Sequence, residues 1–226
     1  MTTQVSQPIR VAHRGGNSHA QLAQALAAGV DWIELDVWLH RGQLIARHDR
    51  PLWRLPITYS RRSIALHLAP AIRLEAVLQA TARTPARVLI DLKGPSTALP
   101  AALVAALRQG EAFARTALCS QDWAVLDRAR ALDPRVQVIY SLGTAEQLQD
   151  YLGRRWDGAA PPTVSCLHRL LTPARVAALK AVGSTIIAWT VDAEARAHDL
   201  LAWGVDGITS NRFALLQRLQ VPDRPR

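Results

Sequence analysis

Several absences narrow the field first. Two cysteines, Cys119 and Cys166, stand far apart in 226 residues, which rules out a disulfide scaffold. Aromatic residues make up 5% of the chain and show no stacking pattern interleaved with basic residues, as a single-stranded nucleic-acid groove would require. The apolar runs are short and interrupted by charge, so no segment reads as a bilayer span. The first ten residues, MTTQVSQPIR, lack the apolar stretch of a secretory signal. Lysine is nearly missing too: of 27 basic residues only Lys93 and Lys180 are not arginine. These absences leave the expectation of a reduced, cytoplasmic, soluble globular protein.

What is present supports that expectation. With 49% hydrophobic and 20% charged residues, the chain can bury a sizeable core and is far too apolar for a disordered segment. The net charge of +9 has two readings. It can serve attraction to anions such as nucleic acid, acidic headgroups or phosphorylated small molecules. It can also reflect general arginine usage, because the arginines scatter through helical stretches and form no dense basic run. The second reading carries more weight, and no nucleic-acid partner is expected.

Read by period, short β-rich runs alternate with longer amphipathic ones. The strand candidates are 9–13, 32–39, 87–93, 116–120, 136–142, 163–168, 184–191 and 205–210. Helical stretches rich in Ala, Leu and Arg lie between them, including 18–29, 73–82, 97–110, 172–183 and 193–204. Gly29, Gly110, Gly183 and Gly204 end four of these, as helix C-termini favour. Thr172-Pro173 makes a good N-cap and first-turn pair. Eight strand-helix units predict an α/β fold, a (β/α)8 TIM barrel in a single domain over 1–226. An open doubly wound sheet is the lesser alternative, since no G-x-G-x-x-G follows the first strand. The stretch 49–71 has three prolines and little periodicity, and reads as a short insertion loop between strands two and three. Arg41-Gly42 looks like the turn of a small hairpin just before it.

Charged residues occupy the strand ends where a barrel exposes catalytic groups. Strand one ends in His13-Arg14-Gly15. Glu34 and Asp36 lie two residues apart on strand two and share a face; Asp91 and Lys93 repeat that spacing on strand three. His48-Asp49 follows the return arm of the hairpin. Three carboxylates on one wall would repel one another, and a cation resolves the conflict. Oxygen-only ligation by Glu34, Asp36 and Asp91 suits Mg²⁺ or Ca²⁺ better than zinc. His13 and His48 remain for proton transfer, while Arg14 and Lys93 would face anionic oxygens. Singly, each feature has an ordinary reading: a strand-end His is commonly structural, Glu34 and Asp36 could point outward from an edge strand, and Asp91 with Lys93 could be a plain ion pair. Their concentration between His13 and Lys93, at the ends of the first three strands, favours the joint reading.

At these residues the sequence resembles the glycerophosphodiester phosphodiesterase family. The segments that carry the resemblance are AHRGG (12–16), AGVDWIELDVWLHRGQLIARHD (28–49), LIDLK (89–93), AWTVD (188–192) and AWGVDGITSN (202–211). The resemblance implies a (β/α)8 barrel and metal-dependent cleavage of a small-molecule glycerophosphodiester to glycerol 3-phosphate and an alcohol. It implies His13 and His48 as the acid/base pair, Glu34, Asp36 and Asp91 as ligands of one divalent cation, and Arg14 and Lys93 as phosphate contacts. Trp189 matches the tryptophan of the family's late W-T-V segment, near the substrate. Gly16-Asn17-Ser18 stands where the family has a Pro-Glu-Asn-Thr segment, so the glutamate of that segment is absent. Asp91, where many members carry Glu, is also similar to the related lysophospholipase D branch. That alternative activity, at a membrane surface, would draw on Leu52, Trp53, Leu55 and Ile57 of the insertion.

Other residues divide more evenly. His168, ending strand six, reads equally as a substrate contact or as an ordinary packed histidine, and Ser120 is similar. His19, His40, His67 and His198 read as surface. Trp32, Trp38, Trp123, Trp156 and Trp203 read as core or rim. Both cysteines read as small buried fillers.

Overall fold

Eight parallel strands alternate with eight helices in this computed structural model, which describes residues 7–52, 57–60, 63–66, 71–154 and 163–219. The strands are β1 (Ile9–Ala12), β2 (Trp32–His40), β3 (Arg87–Leu92), β4 (Thr116–Ser120), β5 (Val138–Leu142), β6 (Val164–Leu167), β7 (Ile186–Trp189) and β8 (Gly207–Ser210). Each pairs in parallel with the next, and β1 closes the ring against both β2 and β8. The eight parallel strands therefore close into a barrel. The helices follow their strands: α1 (His19–Ala27), α2 (Leu74–Thr81), α3 (Leu99–Gln109), α4 (Trp123–Leu132), α5 (Ala145–Gly153), α6 (Pro173–Ala181), α7 (Glu194–Ala202) and α8 (Phe213–Arg218). The expected (β/α)8 fold is the observed one.

The local chemistry explains the boundaries. Ser18, Thr144 and Thr172 each accept a backbone N–H two or three residues on, satisfying a donor that the first turn of α1, α5 or α6 would leave unpaired. Gly29, Gly183 and Gly204 take positive φ after their helices, as expected. Gly110 differs: it ends α3 at φ −88, and the left-handed residue is Glu111 at φ 49. Alternation along the strands divides the apolar residues. One face builds a large core between sheet and helices; the other sends Val11, Trp32, Leu89, Ala117, Cys119, Ile139 and Ile187 into the barrel.

The hairpin at Arg41-Gly42 is present, with both residues at positive φ and His40 paired to Gln43. Its return arm, Gln43–Ala46, pairs onward to Ile72–Arg73. Within 49–71, read from sequence as an irregular loop, the backbone forms an antiparallel three-stranded sheet from Arg50–Leu52, Ile57–Ser60 and Ser63–Leu66. These strands are too short to set up a recognisable period. Trp53, Leu55, His67 and Trp156 lie outside the described residues.

Candidate active site

The C-terminal ends of the barrel strands surround a cavity of about 290 Å³. Eight of the nine residues singled out from sequence line it: His13 and Arg14 after β1, Glu34 and Asp36 on β2, His48 after the hairpin arm, Asp91 and Lys93 at β3, and Trp189 on β7. His168 does not. Its backbone N–H reaches the Trp189 carbonyl, and its Nδ1 is buried without a partner among the described residues.

The β2–β3 register brings the carboxylates together. Asp36 pairs directly with Asp91, and Glu34 lies one inward-facing position below Asp36. One oxygen from each of Glu34, Asp36 and Asp91 falls within 4.8 Å of the others. Glu34 is 5% exposed and Asp36 2%. Burial, reinforced by the neighbouring Asp36 and Asp91 charges, pushes Glu34 well above the ordinary carboxylate range. Burial also raises Asp91, against the opposing pull of Lys93. At Asp36 burial pulls the same way, but Lys93 and the Asn17 amide outweigh it and hold the group low. Lys93 Nζ lies 2.9 Å from Asp36 and bonds Asp91 as well, and those two carboxylates raise its own pKa despite burial. Against three carboxylates stand the Lys93 ammonium and the Arg14 guanidinium, whose Nε lies 3.9 Å from Asp36. A hard divalent cation fits that donor set, since its oxygens are close, buried and short of positive charge.

The first loop orients this wall. Arg14 sits at φ 55, a conformation unusual outside glycine, and this turns its backbone N–H onto Glu34 at 2.5 Å. Gly16 packs so close to β2 that a Cβ there would lie 2.9 Å from the Leu35 Cβ. The Asn17 amide donates to Asp36 at 2.7 Å, and its oxygen accepts the Asp36 N–H at 2.9 Å.

The two histidines have different settings. His13 Nδ1 is 2.7 Å from Asn211 Oδ1. Asn211 in turn donates both its Nδ2 and its backbone N–H to Asp192, each at 2.8 Å. That double bond to a carboxylate fixes the amide so that its oxygen faces His13. Nδ1 therefore carries a proton and Nε2 holds the lone pair. Burial lowers the His13 pKa, and the Arg14 charge adds to this, against the Asn211 hydrogen bond. His48 is 47% exposed, with Nδ1 2.8 Å from the Asp49 carboxylate, an acceptor only.

Sequence reasoning gave no role to Asn17, in the stretch that departs from the family, or to Asp192 and Asn211, which fall inside family-like segments. Their partners lie about twenty or more positions away in the chain, beyond the reach of any local period. Cys119 lines the cavity, a more specific position than a core filler; burial and the adjacent Asp91 push its thiol far up, so it stays protonated. Ser120 accepts the Asp122 N–H, a structural contact.

Residues 103–215, from α3 to α8, match the sequence profile of the Glycerophosphoryl diester phosphodiesterase family. No curated protein sequence matches the chain. Solved structures that resemble it include a glycerophosphodiester phosphodiesterase from Thermotoga maritima, at 19% identity and TM-score 0.74, covering 95% of this chain and 99% of that one. One from Parabacteroides distasonis has 20% identity and TM-score 0.73, with 94% and 97% covered. A phosphodiesterase from Oleispira antarctica, solved with its product sn-glycerol-3-phosphate, has 21% identity and TM-score 0.72, with 93% and 96% covered.

Proposed function

We infer the reaction from one premise: this chain belongs to the glycerophosphoryl diester phosphodiesterase family. It is a phosphoric diester hydrolase, and its reaction class is glycerophosphodiester hydrolysis. The observation that carries the finer reading is the cluster of three carboxylates, Glu34 and Asp36 buried and Asp91 partly so, beside Lys93 and two imidazoles in one cavity. Glu34, Asp36 and Asp91 would hold one divalent cation, Mg²⁺ or Ca²⁺. When bound, such a cation supplies Lewis-acid charge against the non-bridging phosphoryl oxygens.

The chain's own groups account for the proton transfers. His13, buried and with its Nε2 lone pair exposed by the Asn211 contact, suits the base. It takes the proton of the substrate hydroxyl neighbouring the phosphate, whose oxygen attacks phosphorus. His48, open to solvent and beside Asp49, delivers a proton to the departing alcohol. A cyclic phosphate remains, and water opens it with the two roles exchanged. Arg14 and Lys93 bind the anionic oxygens, and Trp189 lines the substrate side. A cavity of about 290 Å³ is at the lower end for ligand sites and suits a glycerophosphate head.

The test is product release from glycerophosphocholine and from lysophosphatidylcholine, each with Mg²⁺, Ca²⁺ or EDTA, with His13→Ala as the blank. Metal-dependent glycerol 3-phosphate from the first substrate is the expected result. Activity on the lysolipid alone would transfer the chain to the lysophospholipase D reading, and silence on both would overturn the reaction.

A further inference from the structure

Trp38 sits where two separate arms of the site leave the sheet. Along β2, residues 34, 36 and 38 share a face, so the indole lies just beyond the two carboxylates, at the rim. On one side its Nε1–H donates to the Arg47 carbonyl at 2.9 Å, immediately before His48. On the other its six-membered ring lies against Gly94, immediately after Lys93: a Cβ at Gly94 would come within 2.6 Å of Cζ3 and 2.9 Å of Cε3. Gly94 also holds φ +84, so glycine is required there twice over. The backbone holds the base of both arms: Arg47 N–H reaches the Asp36 carbonyl at 2.8 Å, and Lys93 N–H reaches the Val37 carbonyl at 2.9 Å. Where the two arms leave the sheet, the indole touches both.

We propose that Trp38 is a positioning residue that sets the reach of His48 relative to a phosphoryl group held at Lys93. This rests on the reading of His48 as an acid/base group. The hydrogen bond fixes the carbonyl of the peptide that leads into His48, and the ring contact references that peptide to Lys93. Loss of the N–H frees the arm without emptying the rim, and displacements of this kind near reacting groups cost rate rather than binding.

Trp38→Phe keeps a ring on Gly94 and removes the donor. The expected result is a fall in kcat of about tenfold to a hundredfold, with KM, divalent-cation affinity by calorimetry and Tm close to wild type. In a His48→Ala background the same substitution should have almost no further effect, while in His13→Ala it should keep its full effect. Hydrogen exchange over residues 46–50 should quicken in Trp38→Phe and also in Gly94→Ala, which displaces the ring from the other side. An equal kcat loss in the His48→Ala background, or unchanged exchange at 46–50, would overturn the proposal. If the wild-type enzyme proves silent on glycerophosphocholine, the catalytic reading has failed separately, and exchange alone decides whether Trp38 holds the arm.

Discussion

Replacing Glu34 by Gln should make the metal-free protein more stable while removing its response to metal. Three carboxylate oxygens lie within 4.8 Å of one another, offset by the Lys93 ammonium and by Arg14 at 3.9 Å from Asp36. At an effective dielectric of 20, one pair at that distance repels by about 3.5 kcal/mol. Glu34 meets two such neighbours and one Lys93, so roughly one term survives, borne either as repulsion or as a bound proton. Gln still accepts the Arg14 N–H, so relief should dominate at about 2 to 3 kcal/mol, or about 4 to 12 °C in Tm for a chain of this length. For the wild type, metal at a hundredfold excess over Kd adds about 2.7 kcal/mol, a rise of about 5 to 11 °C. Calorimetry at pH 8 in EDTA, then with Mg²⁺ or Ca²⁺, separates the two effects. A Glu34→Gln protein that melts lower in EDTA, or that gains as much from metal as wild type, would refute a cation held by this cluster.

His13→Ala and His48→Ala should each lower kcat by about two to four orders of magnitude. On a substrate with a nitrophenolate leaving group, which needs no proton, His48→Ala alone should recover, and rate measurements on both substrates decide it. Because burial lowers the His13 pKa and the base must be unprotonated, kcat/KM should rise through an acidic limb whose midpoint lies below about 6.5. Asn211→Ala removes the contact that favours charged His13, so the limb should move further down as kcat falls, whereas an upward shift in the pH profile would deny the contact. Asn17→Ala strips both amide bonds from Asp36 and should weaken divalent-cation binding by about tenfold to a hundredfold, read by titration calorimetry.

The barrel was legible because each strand is a short apolar run, and because the charges that interrupt those runs fall at their C-terminal ends. Glu34 with Asp36, and Asp91 with Lys93, could each be assigned to one face from spacing alone, since period two puts a residue beside its neighbour two positions away. The direct pairing of Asp36 with Asp91 across β2 and β3 needed the register. The Asn211–His13 contact spans 198 positions, and no local pattern encodes a closure of that length. Trp38 reads from sequence as core or rim, and it lies at the rim; what spacing hides is that its N–H and its ring face different arms. Arg14 was read as a phosphate contact through its side chain, while its positive φ, invisible in sequence, gives its backbone a second task at Glu34.

The charge surplus, too, is better understood from particular contacts than from its total. Arg115 donates to the carbonyls of Thr81, Ala82, Thr84 and Ala86, where α2 ends and its last acceptors lack helical partners. Arg196 serves the His168 and Leu171 carbonyls before α6, and Arg10 ties Gly29 to Asp31 after α1. Arg108 and Arg135 converge on Asp133, and Arg87 stacks 4.1 Å over Trp32 at the barrel floor. A five-donor fork suits clusters of divergent carbonyls, which an ammonium on a flexible stem serves less well. Both lysines also lie against carboxylates. Lys180 bonds both oxygens of Asp206, whose Oδ2 also accepts the Ile186 N–H at the start of β7. Lys93 spans Asp36 and Asp91 in the cavity. Across these contacts Arg115 and Arg10 brace helix ends at the foot of the barrel, Arg196 braces the loop after β6, and the ammonium of Lys93 bridges two carboxylates that adjacent strands bring together.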